Sequence, residues 1–184
     1  KAEEFPSYVA PKGPFSLRAQ NSVQMLLDEE KLSFDELVDL KLTAEATALN
    51  RVLPDLIDAT AGLADADIRE AMTLLQAWDG EVDQDAEAAL LFEEFMLEFT
   101  APQIGFPLAR QDAYRVPWSI DAPLSTPHGI ADKTSAVDNL RTAIAATRDK
   151  YGQLDQPFGD VSRFQIDDTD LPGLGSFGNL GAFN

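Results

Sequence analysis

The sequence predicts a mainly α-helical chain with short β segments towards its ends. Three observations carry that reading. Apolar residues recur at three- and four-residue spacing through most of residues 16–100, and again through 133–152. Residues 101–132 break the spacing with Pro102, Pro107, Pro117, Pro123 and Pro127. Residues 153–184 replace it first with strand-like alternation and then with glycine.

Taken in order, residues 1–15 carry Pro6, Pro11 and Pro14 and no helical period, so they read as an extended lead-in. A helix follows from about Ser16, with Ala19, Val23, Leu26 and Leu27 on one face. The next begins at Ser33. There Ser33 and Glu36 have the spacing of a capping box, in which each side chain satisfies the other's backbone N–H. Phe34, Leu37 and Val38 form its apolar side.

Residues 44–60 keep helical spacing through Ala46, Leu49, Leu53, Leu56, Ile57 and Thr60. Pro54 lacks a backbone N–H, so a kink or a fresh helix start is expected there, with Gly62 as the stop. Another helix opens near Asp65 and turns Ile68, Ala71, Met72, Leu75 and Trp78 inward. The stretch WDGEVDQD makes a turn, and Asp83 or Asp85 is placed to cap a helix over 85–100. That helix aligns Ala88, Leu91, Phe92, Phe95, Met96 and Phe99. Residues 101–132 form a long irregular crossing of a kind uncommon inside a compact domain. The last clear helix covers about Lys133 to Tyr151 and stops at Gly152. Phe164 and Ile166 then alternate with polar neighbours as in a strand, before a tail carrying Gly173, Gly175, Gly178 and Gly181. A helical middle with extended ends is expected to be one piece of a larger domain.

Composition narrows the partners. The 14 basic and 32 acidic residues give a net charge of −18. Phosphate binding needs clustered Lys and Arg, so nucleic acid is excluded as a partner, and an anionic membrane surface is disfavoured. No run approaches 18 apolar residues, so no membrane-spanning helix is expected. The chain has no cysteine, which removes disulfides, thiol nucleophiles and thiolate metal sites.

The chemical motifs are sparse. Ser125, His128 and Asp132 contain the sole histidine and could be drawn as a triad, but no serine lies in a G-x-S-x-G elbow. Asp79, Glu81, Asp83 and Asp85 alternate like a calcium loop. An EF-hand register from Asp79 needs Gly at position six and Glu at twelve, whereas the chain has Gln84 and Leu90. No metal site is expected, and no cofactor either, since the tail glycines fit neither phosphate-binding motif. Trp78, Phe92, Phe95 and Phe99 read as core rather than as an acyl pocket. On residues alone, the reading stops at an acidic helical module, with a non-catalytic interaction role as one alternative.

An ordered set of segments goes further. It comprises FPSYVAPKGPFSLRAQNSVQMLL (5–27), LSFDELVDLKLTAEATALNRVLPDL (32–56), LLQAWDGEVDQDAEAALLFEEF (74–95) and DKYGQLDQPFGDVSRFQIDDTDLPGLGSFGNLGAF (149–183). In this order they resemble the middle of the β-subunit of the penicillin acylase family of N-terminal nucleophile hydrolases, most of all its acyl-homoserine lactone acylase and aculeacin acylase branch. The resemblance implies a parent with the four-layer αββα fold and a precursor that cuts itself to free a serine. That serine would attack the acyl carbonyl of a small N-acyl amine, with its own α-amino group as base. A β-lactam acylase is the alternative substrate class. The resemblance further implies the rest of the β-subunit and the α-subunit as partners, and a periplasmic or secreted location. Residue 1 is Lys, so the nucleophile and oxyanion groups are expected outside this chain, and the isolated fragment is expected to be inactive. One residue carries over. Arg18, in SLRAQ, matches an arginine that the family places beside its catalytic asparagine in a supporting role.

Overall fold

Helix α5 (Ala89–Thr100) is the centre of the molecule, because nearly all of its circumference is apolar and buried. The computed structural model describes residues 13–27, 31–100, 110–176 and 180–182. The other helices are α1 (Leu17–Leu27), α2 (Phe34–Leu42), α3 (Thr47–Thr60), α4 (Ala66–Ala77), α6 (Lys133–Tyr151) and the short α7 (Phe158–Val161). Two antiparallel hairpins complete the set: β1 (Tyr114–Val116) with β2 (His128–Ile130), and β3 (Arg163–Ile166) with β4 (Thr169–Pro172). The chain is therefore mainly α with short β segments. The expected lead-in lies mostly outside the described residues, as do Pro102, Pro107 and Gly178.

Helix α6 packs against α5, α3 and α4 and closes the bundle. Val137, Leu140, Ala143 and Ile144 form its buried stripe. Asp132 caps its start by accepting from the Thr134 and Ser135 N–H groups, and Gly152 ends it in the left-handed region at φ 88°. Its basic side chains reach outward to three other helices. Lys133 meets Asp58 on α3, Arg141 meets the α4 cap Asp65, Arg148 meets Asp67 and Glu70 on α4, and Lys150 meets Glu94 on α5.

Several elements match the sequence reading closely. The Ser33 capping box is present: Ser33 Oγ accepts from Glu36 N at 3.2 Å, and Ser33 N donates to Glu36 Oε2 at 2.7 Å. Asp65 caps α4, and Ile68, Ala71, Met72 and Leu75 are buried.

Other elements differ, each for a physical reason. Helix α3 runs through Pro54 without a fresh start. Pro54 and Asn50 are both exposed, so water can reach the carbonyl that the proline leaves without its donor, while buried Leu49, Val52 and Leu56 hold the helix on its other side. Helix α5 begins at Ala89, and neither Asp83 nor Asp85 caps it. Asp79 and Asp83 accept instead from the N–H groups of Glu81 and Asp85, closing two successive Asx turns. The described part of the proline-rich crossing is less irregular than expected. Gln111–Ala113 forms a 3-10 turn, and the β1–β2 hairpin lies against α3.

Helix α1 departs most. Its buried residues are Leu17, Gln20 and Asn21, whereas Val23, Leu26 and Leu27 face outward. Gln20 is 1 % exposed, donates to the Phe15 carbonyl and accepts from Arg51. Helix α2 buries nothing, and Phe34, Leu37, Val38 and Leu42 are exposed.

Candidate functional site

Arg18 stands in the first turn of α1, the only residue for which the sequence supports a catalytic supporting role. Its Nε donates to the Ala182 carbonyl at 2.9 Å, and its Nη2 donates to the Ser176 carbonyl. One turn along, Asn21 Nδ2 donates to the Gly181 and Glu45 carbonyls, both at 3.4 Å. The described tail residues Ser176, Gly181 and Ala182 thus lie directly on α1. The Ala48 N–H to Leu180 carbonyl bond, 2.9 Å, ties it to α3 as well. Gly181 permits the approach: its φ is +81°, and a Cβ there would come within 2.8 Å of Leu17 Cβ and 3.0 Å of Thr47 Cβ.

Beside Arg18 opens a cleft of about 480 Å³. Arg18, Glu93, Tyr151 and Ser176 contribute its polar wall, and Leu90 and Phe158 its apolar one. Burial pushes the Glu93 carboxyl above its ordinary value of 4.5; the neighbouring Glu94 adds to the rise and Lys150 opposes it. Glu94 itself is buried and accepts from Lys150 Nζ at 2.7 and 2.8 Å and from Tyr151 Oη at 3.3 Å. The bond to Glu94 holds Lys150 above its usual range. Burial, followed by the Glu94 charge, raises Tyr151. The Ser176 hydroxyl is buried and has no hydrogen-bond partner among the described residues.

Arg18 shares with Arg51 and Arg69 a set of neutral acceptors, which divides these three from the other arginines. Arg110, Arg115, Arg141, Arg148 and Arg163 each pair with a carboxylate. Arg18 makes no salt bridge among the described residues and bonds only neutral carbonyl oxygens. Its charge is therefore available to a carbonyl, an amide oxygen or an anion brought to the cleft. Neither Ser162 nor Ser176 is hydrogen-bonded to a general base among the described residues, so the cleft holds no activated nucleophile.

The other motifs are not brought together as sites. His128 Nδ1 lies 3.2 Å from the Ser125 carbonyl oxygen, not from its hydroxyl. Asp132 is occupied as the α6 cap, accepting from Thr134 N, Ser135 N and Ser135 Oγ. No triad forms. Among the described residues, no group of His, Asp and Glu is arranged to hold a metal ion. Phe92, Phe95, Phe99 and Tyr114 form a continuous aromatic ladder in the core, and half-buried Trp78 extends it to the surface, where it borders a shallow acidic cleft. Sequence reasoning missed Glu93 and the tail carbonyls. The signal for Glu93 was present, because Glu93 and Glu94 fall side by side between Phe92 and Phe95 in a largely apolar helix. Backbone carbonyls leave no mark in a sequence.

Comparison with known proteins agrees with the segments that drew attention to Arg18. The family model described as penicillin amidase matches residues 1–183. The acyl-homoserine lactone acylase PvdQ of Pseudomonas fluorescens (strain Pf0-1) is 25 % identical over 181 residues. That alignment covers 93 % of this chain and 22 % of the relative, so the chain spans about a fifth of that relative's length. With a family model matched along almost every residue, the chain belongs to the penicillin amidase family.

Proposed function

We propose that this chain is the helical middle of a β-subunit in an acylase that cleaves the amide of an acyl-homoserine lactone or a similar N-acyl amine. The observation that carries the proposal is the match of the penicillin amidase model to residues 1–183, joined by the similarity to a protein named as an acyl-homoserine lactone acylase. The attacking serine, its α-amino base and the oxyanion donors belong to parts of the protein outside these 184 residues. In the reaction, the serine oxygen forms an ester with the acyl carbon as the amine leaves, and water then hydrolyses the ester.

Within this scheme Arg18 is a positioning residue. The two tail carbonyls fix its guanidinium plane while leaving its charge unneutralised. A guanidinium so held can orient an amide side chain brought to the cleft, without rearranging as charge develops on the oxyanion. The partners of this chain are the remainder of its β-subunit and an α-subunit from the same precursor. The outward apolar faces of α1 and α2 support that reading, because such contiguous apolar surface marks an interaction site. The location proposed is the periplasm or the exterior of the cell.

The test uses the complete processed protein with acyl-homoserine lactones of graded chain length and with a penicillin. Release of free homoserine lactone is the expected result. Arg18→Ala is expected to lower kcat by about tenfold or more, with a smaller change in KM. Release of a β-lactam amine alone would move the substrate to the β-lactam class. Hydrolysis by the isolated 184 residues would show that the active site has been misplaced.

A further inference from the structure

We infer that the glycine-rich tail is a positioning platform for Arg18, with Gly181 and Asn21 as the residues that seat it; this rests on the supporting role proposed for Arg18. Three observations converge. Both acceptors of the Arg18 guanidinium are tail carbonyls, those of Ser176 and Ala182, more than 150 residues away in sequence. The tail reaches Arg18 only because Gly181 occupies a left-handed conformation with no room for a Cβ between Leu17 and Thr47. Asn21 is 7 % exposed and spends its amide on the Gly181 carbonyl, which ties the platform to the same helix that carries Arg18.

The choice of carbonyls as partners has a chemical consequence. An arginine side chain is long and has high rotamer entropy, so orientation must come from at least two contacts. A carboxylate would supply them but would also neutralise the charge. Two carbonyl oxygens hold the guanidinium while leaving its positive charge for the reaction. With 32 acidic residues in the chain, this arrangement requires a segment that brings backbone and no carboxylate to Arg18. The described tail residues from Gly173 onward include no acid.

The experiment is a double-mutant cycle in the complete processed protein, read by kcat per titrated active site and by Tm. Gly181→Ala is expected to lower kcat by about tenfold with little change in KM, as Arg18→Ala does. The Gly181→Ala/Arg18→Ala protein is expected to be no slower than Arg18→Ala alone. Asn21→Ser, which adds no bulk, serves if Gly181→Ala does not fold, and the same lack of additivity is expected. Gly181→Ala and Asn21→Ser proteins that lose Tm but keep full kcat per site would overturn the inference and leave the tail merely structural. Additive losses of kcat in the cycle would overturn it too. An Arg18→Ala protein with undiminished kcat would instead remove the role proposed for Arg18, a different failure.

Discussion

Asp55 carries a buried carboxylate from α3 into the β1–β2 hairpin. It accepts from Ile130 N at 2.7 Å and from Arg115 Nη1 at 2.9 Å. Gly129 keeps the junction open, since a Cβ there would lie 2.9 Å from Asp55 Oδ2. Burial pushes the Asp55 carboxyl up, but the Ile130 N–H and the Arg115 pairing outweigh it and hold the group below its ordinary 3.8. A depressed folded value means that its stabilisation is fully present above the unfolded pKa and is lost as pH falls through the folded one. Asp55→Ala is expected to cost about 2–3 kcal/mol by urea unfolding near neutral pH, because it strands a buried N–H and an arginine. Asp55→Asn keeps the acceptor, and should cost less and flatten the fall in stability below about pH 4. The helix around Asp55 was legible from Leu49 and Leu56. Its carboxylate was not, since its partners lie 60 and 75 residues along the chain. Arg18 was legible only through a family resemblance, and its acceptors not at all.

Among the elements, α5 shows what periodicity can and cannot reveal. Its apolar positions are legible, and the aromatic ladder from Trp78 through Phe92, Phe95 and Phe99 to Tyr114 follows from them. Phe95 is fully buried in that ladder. Phe95→Ala is expected to lower stability by about 3–5 kcal/mol, through lost transfer energy and the cavity left behind. A shift in the urea midpoint with an unchanged slope is the measurement; a loss below about 1 kcal/mol would mean that the site collapses freely. The start of α5 was illegible because Asp83 could close a turn or cap a helix, and buried Val82 and Ala86 favour the turn. Helix α1 misleads for the opposite reason. Its apolar stripe is real, but Gln20 and Asn21 find carbonyls inside, so the polar side turns inward.

The whole molecule is governed by a charge of −18, which composition shows directly. At low salt the acidic surface repels itself, and raising ionic strength from about 10 mM to about 150 mM shortens the screening length from ~30 to ~8 Å. Screening also weakens the α6 ion pairs, but exposed pairs contribute only about 0–1 kcal/mol each. Repulsion is therefore the larger effect, and Tm should rise with salt by about 2–4 °C for each kcal/mol of repulsion removed, read by calorimetry. A Tm that falls with salt would show that the pairs dominate. Those pairs have a consequence for inheritance. Four of the chain's 14 basic residues sit on α6 and reach carboxylates on α3, α4 and α5. As descendants of this protein drift towards still greater acidity, losing an exposed pair such as Arg110 with Asp112 loosens nothing between helices. One lost from α6 loosens a tie between two helices, and Lys150 stands last in line, because its loss would leave buried Glu94 with the Tyr151 hydroxyl alone.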